Sequence, residues 1–222
     1  MNDRASELEK TAKAMVEKGK GLLAIDESLP TIAKRCKSIN IENTEENRRA
    51  YRDLLITAPG SAEYISGMIL FDETIRQSTS DGVPFARYLN NLGMIAGIKV
   101  DKGAKPLAGF PGETITEGLD GLRDRLEDYG RLGLQFTKWR AVIHLGPGLP
   151  SRACLIANAH ALARFAALSQ EAGLVPIVEP EVLMDGPEST HDADRCYEVT
   201  AATLRRLFAE LAAMRVVLEG TV

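Results

Sequence analysis

Phe136-Thr137-Lys138-Trp139-Arg140-Ala141-Val142-Ile143 is an apolar run broken at i and i+2 by two cations. Read as a strand, it places Lys138 and Arg140 on one face and Trp139 on the other, where a helix would cover the indole. Beyond it, Gly146-Pro147-Gly148 reads as a loop. No Lys-Ser/Thr follows, so the loop is not a phosphate cradle. Ser151 can cap an Ala-rich helix that stops near Gly173, and Val175–Val182 reads as the next strand. Four further runs have the same Val/Ile/Leu-rich character: Gly21–Asp26, Tyr64–Phe71, Met94–Asp101 and Val216–Val222. They are continuous rather than alternating, as parallel strands covered on both faces must be.

Helical patterns fill the intervals. Residues 6–18 form one ahead of the first strand, and Asn43-Thr44-Glu45-Glu46 resembles a capping box that opens another through about Ala58. Leu119, Leu122, Leu126 and Tyr129 recur at helical spacing, with Gly130 or Gly133 as the stop. Ser189 or Thr190 can start a last helix with Val199, Leu204, Leu207 and Leu211 inside. Strands separated by about 30–40 residues, each interval holding a helix, predict a parallel α/β sheet. A doubly wound sheet and a (β/α)8 barrel both fit that order. No Gly-x-Gly-x-x-Gly follows the first strand, which argues against a dinucleotide site.

The decisive irregularity is threefold. Lys99 and Asp101, Lys138 and Arg140, and Glu179 and Glu181 each stand two apart near the C-terminal end of a strand, and Asp26 ends the first strand. Charges in a covered sheet must be paired, hydrated or bound to a ligand. A structural ion-pair network is the plain reading of any one pair. Three equivalent pairs at the strand ends where parallel barrels keep their sites point to an active site. Lys99, Lys138 and Arg140 suit a phosphate or carboxylate. Asp26, Glu179 and Glu181 suit proton transfer, and crowding of the two glutamates would raise one pKa. A lysine beside other cations would have a lowered pKa and become an amine nucleophile. Three cations in the cluster argue against a metal.

These residues carry a family likeness. The segments Gly21-Leu22-Leu23-Ala24-Ile25-Asp26-Glu27-Ser28, Glu42-Asn43-Thr44-Glu45-Glu46-Asn47-Arg48-Arg49, Gly97-Ile98-Lys99-Val100-Asp101-Lys102-Gly103, Lys138-Trp139-Arg140, Val175-Pro176-Ile177-Val178-Glu179-Pro180-Glu181 and Leu218-Glu219-Gly220-Thr221 resemble, in order and approximate spacing, class I (Schiff-base) fructose-bisphosphate aldolases. The resemblance implies a (β/α)8 barrel, here one partial domain over residues 1–222 with about six parallel strands. It implies reversible cleavage of fructose 1,6-bisphosphate to dihydroxyacetone phosphate and glyceraldehyde 3-phosphate in glycolysis. It also implies no metal or other cofactor, and a homotetramer for the full-length protein. It implies catalytic roles for Asp26, Lys138, Glu179 and Glu181, and substrate or phosphate contacts for Thr31, Arg35, Arg48, Lys99 and Arg140. In such proteins Leu-Glu-Gly-Thr leads to Leu-Lys-Pro-Asn, whose lysine forms the imine and would fall just after Val222. The chain is therefore expected to be a C-terminally truncated form, poorly stable at its open sheet edges and inactive alone. The alternatives are a non-catalytic remnant binding anionic ligands or a protein partner, and, more weakly, a doubly wound phosphosugar-binding protein.

Composition sets the outer limits. The 222 residues hold 27 Lys+Arg against 31 Asp+Glu, a net charge of -4 that gives no basis for nucleic-acid binding. No apolar run approaches a membrane span. The charged N-terminus does not read as a signal peptide, and Cys36, Cys154 and Cys196 are odd in number and widely spaced, so a reduced cytoplasmic setting is expected. His144, His160 and His191 have no ligand spacing and read as packed or exposed residues.

Overall fold

A computed structural model of the chain describes residues 2–183 and 193–222. Its strands, in chain order, are β1 (Gly21–Ala24), β2 (Ile65–Leu70), β3 (Ile95–Lys99), β4 (Ala104–Pro106), β5 (Thr114–Thr116), β6 (Phe136–Ile143) and β7 (Val175–Val182). Five of them form a wholly parallel sheet in the order β1-β2-β3-β6-β7, and β4 and β5 form a separate hairpin. The helices between them are α2 (Leu29–Ser38), α3 (Glu45–Ile56), α4 (Ser61–Tyr64), α5 (Phe85–Asn91), α6 (Leu122–Arg131) and α7 (Arg152–Glu171). Helix α1 (Asn2–Met15) precedes the sheet and α8 (Ala193–Ala213) follows it.

The sheet is curled. β1 and β6 are three strand spacings apart, about 14 Å in a flat sheet. Yet Asp26, just beyond β1, stands 3.4 Å from the Lys138 ammonium of β6. Register puts Leu22, Gly67, Ile95, Gly97, Phe136 and Val175 on the concave face. There Ile69, Ile95, Phe136 and Val175 meet Leu8, Ala12 and Met15 of α1, which closes the N-terminal end of the half-barrel. Gly97 is required at its place: a Cβ there would stand 2.3 Å from the Phe136 ring, so the glycine makes room for that ring inside the barrel. The convex face packs Met68, Leu70, Ile98 and Trp139 under the helices. Trp139 is fully buried and stacks on Phe165 of α7 at 5.5 Å, as the alternation predicts.

Several boundaries differ from the expectation. The N-cap of α3 is Thr44, one residue later than a box built on Asn43; its hydroxyl accepts from the Asn47 amide. α1 ends at Met15 rather than Lys18. Ser151 caps α7 through the Cys154 amide, and Gly133 and Gly173 adopt the left-handed conformation just past α6 and α7. In α8, Val199, Leu207 and Leu211 are buried but Leu204 is not, because Thr203 holds the inward position between Val199 and Leu207 and Leu204 lies one residue further round the helix. The expected helix starts at Ser189 and Thr190, and His191, lie outside the described residues.

Val216–Val222 is not a sixth strand. Leu218–Gly220 forms one 3-10 turn, and only Val222 begins to pair beside β7, donating to the Pro176 carbonyl and accepting from the Val178 amide. Gly220 packs so closely under α1 that a Cβ would lie 2.7 Å from that of Leu8. The Gln170 amide holds the turn through Val217, Gly220 and Thr221.

The antiparallel β4–β5 hairpin has no counterpart among the strands expected from the sequence. It takes over where β3 leaves β6. The last β3 contact is the Val100 amide on the Lys138 carbonyl, and beyond it the Thr116 and Thr114 hydroxyls donate to the carbonyls of Arg140 and Val142. Among the described residues, no helix is long and apolar enough to cross a membrane.

Candidate active site

The concave face changes character along each strand, from apolar beside α1 to ionisable at the C-terminal ends. Lys99 and Lys138 are register partners, as are Arg140 and Glu179. Lys138, only 8 % exposed, places its ammonium 3.1 Å from Glu179 and 3.4 Å from Asp26. Arg140 pairs with Glu181 through Nε, and its own amide donates to Asp101, which also accepts from Gly103. Lys99 lies over the Phe71 ring and borders a cavity of about 600 Å³ lined by Ser28, Phe71, Asp101, Arg125 and Tyr129.

The electrostatics follow from burial and partners. Burial alone would lower the Lys138 pKa, but the carboxylates of Asp26 and Glu179 outweigh it and hold the ammonium above the ordinary lysine value. The expected lowering by neighbouring cations is therefore overturned: Lys138 is a fixed cation here, not a free amine. Burial pushes the Asp101 carboxyl up, against the Lys99 charge and the backbone N–H groups of Arg140 and Gly103. Glu181 holds the Arg140 guanidinium firmly protonated. Instead of crowding each other, the two glutamates divide between cations, Glu179 to Lys138 and Glu181 to Arg140.

The comparisons with known proteins bear on this arrangement. The family model described as fructose-bisphosphate aldolase class-I matches residues 7–222. The chain belongs to the class-I fructose-bisphosphate aldolase family. It is 66 % identical over 216 residues to "Probable fructose-bisphosphate aldolase class 1" of Xanthomonas campestris pv. campestris, covering 97 % of this chain and 64 % of that protein. It is 52 % identical over 217 residues to the cytoplasmic isozyme of Spinacia oleracea, covering 98 % of this chain and 60 % of the isozyme. The fold is shared with the Plasmodium falciparum fructose-bisphosphate aldolase solved with TRAP and a small-molecule inhibitor. The TM-score is 0.96 at 45 % identity, over all of this chain and 63 % of that one. The chain thus spans less than two thirds of the length of these relatives, and its five-stranded sheet is part of a family barrel.

Of the residues expected in the aldolase site, Asp26, Lys99, Lys138, Arg140, Glu179 and Glu181 meet at one mouth. The other three stand apart. Thr31 lies in the first turn of α2, its hydroxyl 3.0 Å from that of Ser28. Arg35, more than half exposed, pairs with Glu27 and donates to the Tyr51 hydroxyl. Arg48 makes a two-pronged bond to Glu73 at 2.8 and 2.6 Å and does not reach the Lys138 cluster.

Sequence reasoning missed the buried pair of Glu27 and Arg52. The Arg52 guanidinium lies 3.0 Å from Glu27 Oε2 and also donates to the Glu27 carbonyl. A signal was available. Arg48, Arg52 and Ile56 recur at i, i+4 and i+8, so an arginine occupies the inward stripe of α3 where an apolar residue belongs.

Proposed function

We propose that this mouth serves the reversible aldol cleavage of fructose 1,6-bisphosphate to dihydroxyacetone phosphate and glyceraldehyde 3-phosphate, in a cytoplasmic protein that assembles as a homotetramer at full length. The observation that carries the reading is the Lys138 ammonium held between Asp26 and Glu179 at the C-terminal ends of the strands. In aldol cleavage the C4 hydroxyl gives up its proton, the C3–C4 bond breaks, and its electron pair moves toward the former ketone carbon, held as an iminium by a lysine. Asp26 is positioned for the hydroxyl at the breaking bond. Glu179 is the more open of the two carboxylates on Lys138, and it suits the proton exchange of imine formation. Lys138 supplies positive charge and a proton reservoir to both. Glu181 fixes Arg140, which with Lys99 faces the substrate's anionic and hydroxyl groups. Thr31, Arg35 and Arg48 are the rim contributors to phosphate binding.

An imine-forming amine must be neutral, and Lys138, a doubly paired ammonium, is not that amine. Titration calorimetry with fructose 1,6-bisphosphate tests the proposal. Binding by the chain and its loss in Lys138→Met support it, and no binding, or binding indifferent to that change, refutes it. Borohydride treatment with substrate, followed by peptide mapping, should find Lys138 unmodified; a trapped Lys138 would overturn its assignment as a fixed cation.

A further inference from the structure

We infer that Arg52 is a positioning residue for Asp26, setting through Glu27 where the Asp26 carboxylate stands against Lys138; the inference rests on the site assignment above. The sheet lets go of the chain just before Asp26. The last ladder bond there is the Ile25 amide on the Ile69 carbonyl, and α2 does not begin until Leu29. Only Asp26 and Glu27 lie between strand and helix, since Ser28 is already the N-cap of α2 and its carbonyl accepts from the Ile32 amide. The side-chain anchor of this short crossing is Glu27. Its carbonyl accepts from Arg52 at 3.1 Å, one carboxylate oxygen pairs with Arg52 at 3.0 Å, and the other accepts from Tyr51 at 3.2 Å and from Arg35. Glu27, fixed at both its carbonyl and its side chain, anchors the Cα to which the planar Asp26–Glu27 peptide is joined, so the backbone that carries Asp26 is held in place against Lys138.

Two features mark Arg52 as more than a packing element. Its side chain is 3 % exposed, and its Nε and Nη1 have no hydrogen-bond partner among the described residues, the centre of the Tyr51 ring lying 5.0 Å from the guanidinium carbon. Buried ion pairs contribute little net stability even when fully bonded, and an apolar residue of similar volume commonly serves as well. An incompletely bonded guanidinium is a poor stabiliser. A single nitrogen, Nη2, that meets the carbonyl and the carboxylate of one residue at once is, by contrast, a good way to fix geometry, and it is held there by a rigid planar guanidinium that a flexible lysine stem does not reproduce.

The test is Arg52→Lys, which keeps the charge and removes the rigid planar guanidinium, in the folded 222-residue chain. The ligand-free readout is the side-chain 15N resonance of Lys138, calibrated by Asp26→Asn, which removes one of its two carboxylate charges. Arg52→Lys should carry the Lys138 resonance at least half-way to the Asp26→Asn position, and Asp26→Asn added to it should move it little further. Fructose 1,6-bisphosphate affinity should fall about tenfold, the scale of a small misplacement of a working group. It should not fall further with Asp26→Asn, while Glu179→Gln should remain additive. If Arg52→Lys does not fold, Glu27→Asp, which withdraws the carboxylate by one methylene, is read the same way. A folded variant with an unmoved Lys138 resonance, and with the full effect of Asp26→Asn intact, overturns the inference. A chain that binds no sugar phosphate would instead sink the functional reading while leaving the 15N result to decide this one.

Discussion

Replacing Gly97 by Ala should strain the interior of the half-barrel where β3 faces β6. Gly97 and Phe136 are register partners, and the new methyl carbon would stand 2.3 Å from two carbons of the Phe136 ring and 2.4 Å from a third. Carbon atoms rest at about 3.5–4.0 Å, so the ring has to retreat by more than about 1 Å. It has nowhere to go, being fully buried among Ile69, Ile95, Val175 and the inner side of α1. Overpacking of this kind costs about 1–3 kcal/mol. For a chain of this size that corresponds to a fall in melting temperature of about 2–12 °C. Urea unfolding followed by circular dichroism measures it. The internal control is Phe136→Leu, which destabilises on its own by leaving a cavity but opens the space that the added methyl group needs. Combined with Gly97→Ala, it should give a chain more stable than the two separate losses added together, by about 1 kcal/mol or more. A Gly97→Ala chain within about 0.5 kcal/mol of the parent, or strict additivity with Phe136→Leu, would refute the packing assigned to this face.

Two further outcomes follow from the geometry. Ser151→Ala removes the hydroxyl that accepts the Cys154 amide at the start of the 20-residue α7; it should cost about 1 kcal/mol in urea unfolding and leave sugar-phosphate affinity unchanged. Burial opposes the Lys138 charge, but Asp26 and Glu179 raise its folded pKa above the ordinary 10.5, so the triad's stabilisation is complete below about pH 10.5 and is lost as pH climbs through the folded value. Stability profiles of the parent and Lys138→Met, separate at neutral pH, should therefore converge on the alkaline side; a gap that stays constant well above the ordinary lysine value would count against the pairing.

The five sheet strands were legible because each is a continuous apolar run bounded by polar or glycine residues, and β6 and β7 match their expected ends residue for residue. The mouth was legible for a different reason. A charge at i and i+2 in such a run has no place in a covered sheet unless it meets a partner, so Lys138, Arg140, Glu179 and Glu181 stood out. What failed were features that depend on neighbours. Val216–Val222 is as apolar as a strand, but its path is set by Leu8 and the Gln170 amide, which lie far away in sequence. The β4–β5 hairpin has three residues per arm, too few for any period to show, and exists because β6 has carbonyls to satisfy after β3 departs. The general expectation that a lysine beside other cations has a lowered pKa does not hold at Lys138, because a tally of nearby cations omits the curl that brings Asp26 across the interior. Arg35, Arg48 and Thr31 lie on helices, where no period says which way a polar side chain reaches.

The charges at the mouth constrain how the proposed roles divide. Lys99, Lys138 and Arg140 face Asp26, Asp101, Glu179 and Glu181, so the cluster holds three cations against four carboxylates. It is not an anion trap by charge count, and a phosphorylated sugar cannot be drawn to its centre by Coulomb attraction alone. A centre of this kind suits the sugar's neutral middle, where hydroxyls exchange protons with carboxylates of fixed orientation. In the proposed reaction the phosphates would belong at the edges. Lys99 borders the open cavity beside Ser28, and Arg35, on the same helix as Thr31, is exposed enough to turn from Glu27 to an arriving anion. Arg48, committed to Glu73 by two good bonds, has the least to give. Glu27 then stands between the two functions. One of its carboxylate oxygens meets the exposed Arg35 at the rim and the other the buried Arg52 beneath, so the rim arginine can exchange partners without releasing the backbone that carries Asp26.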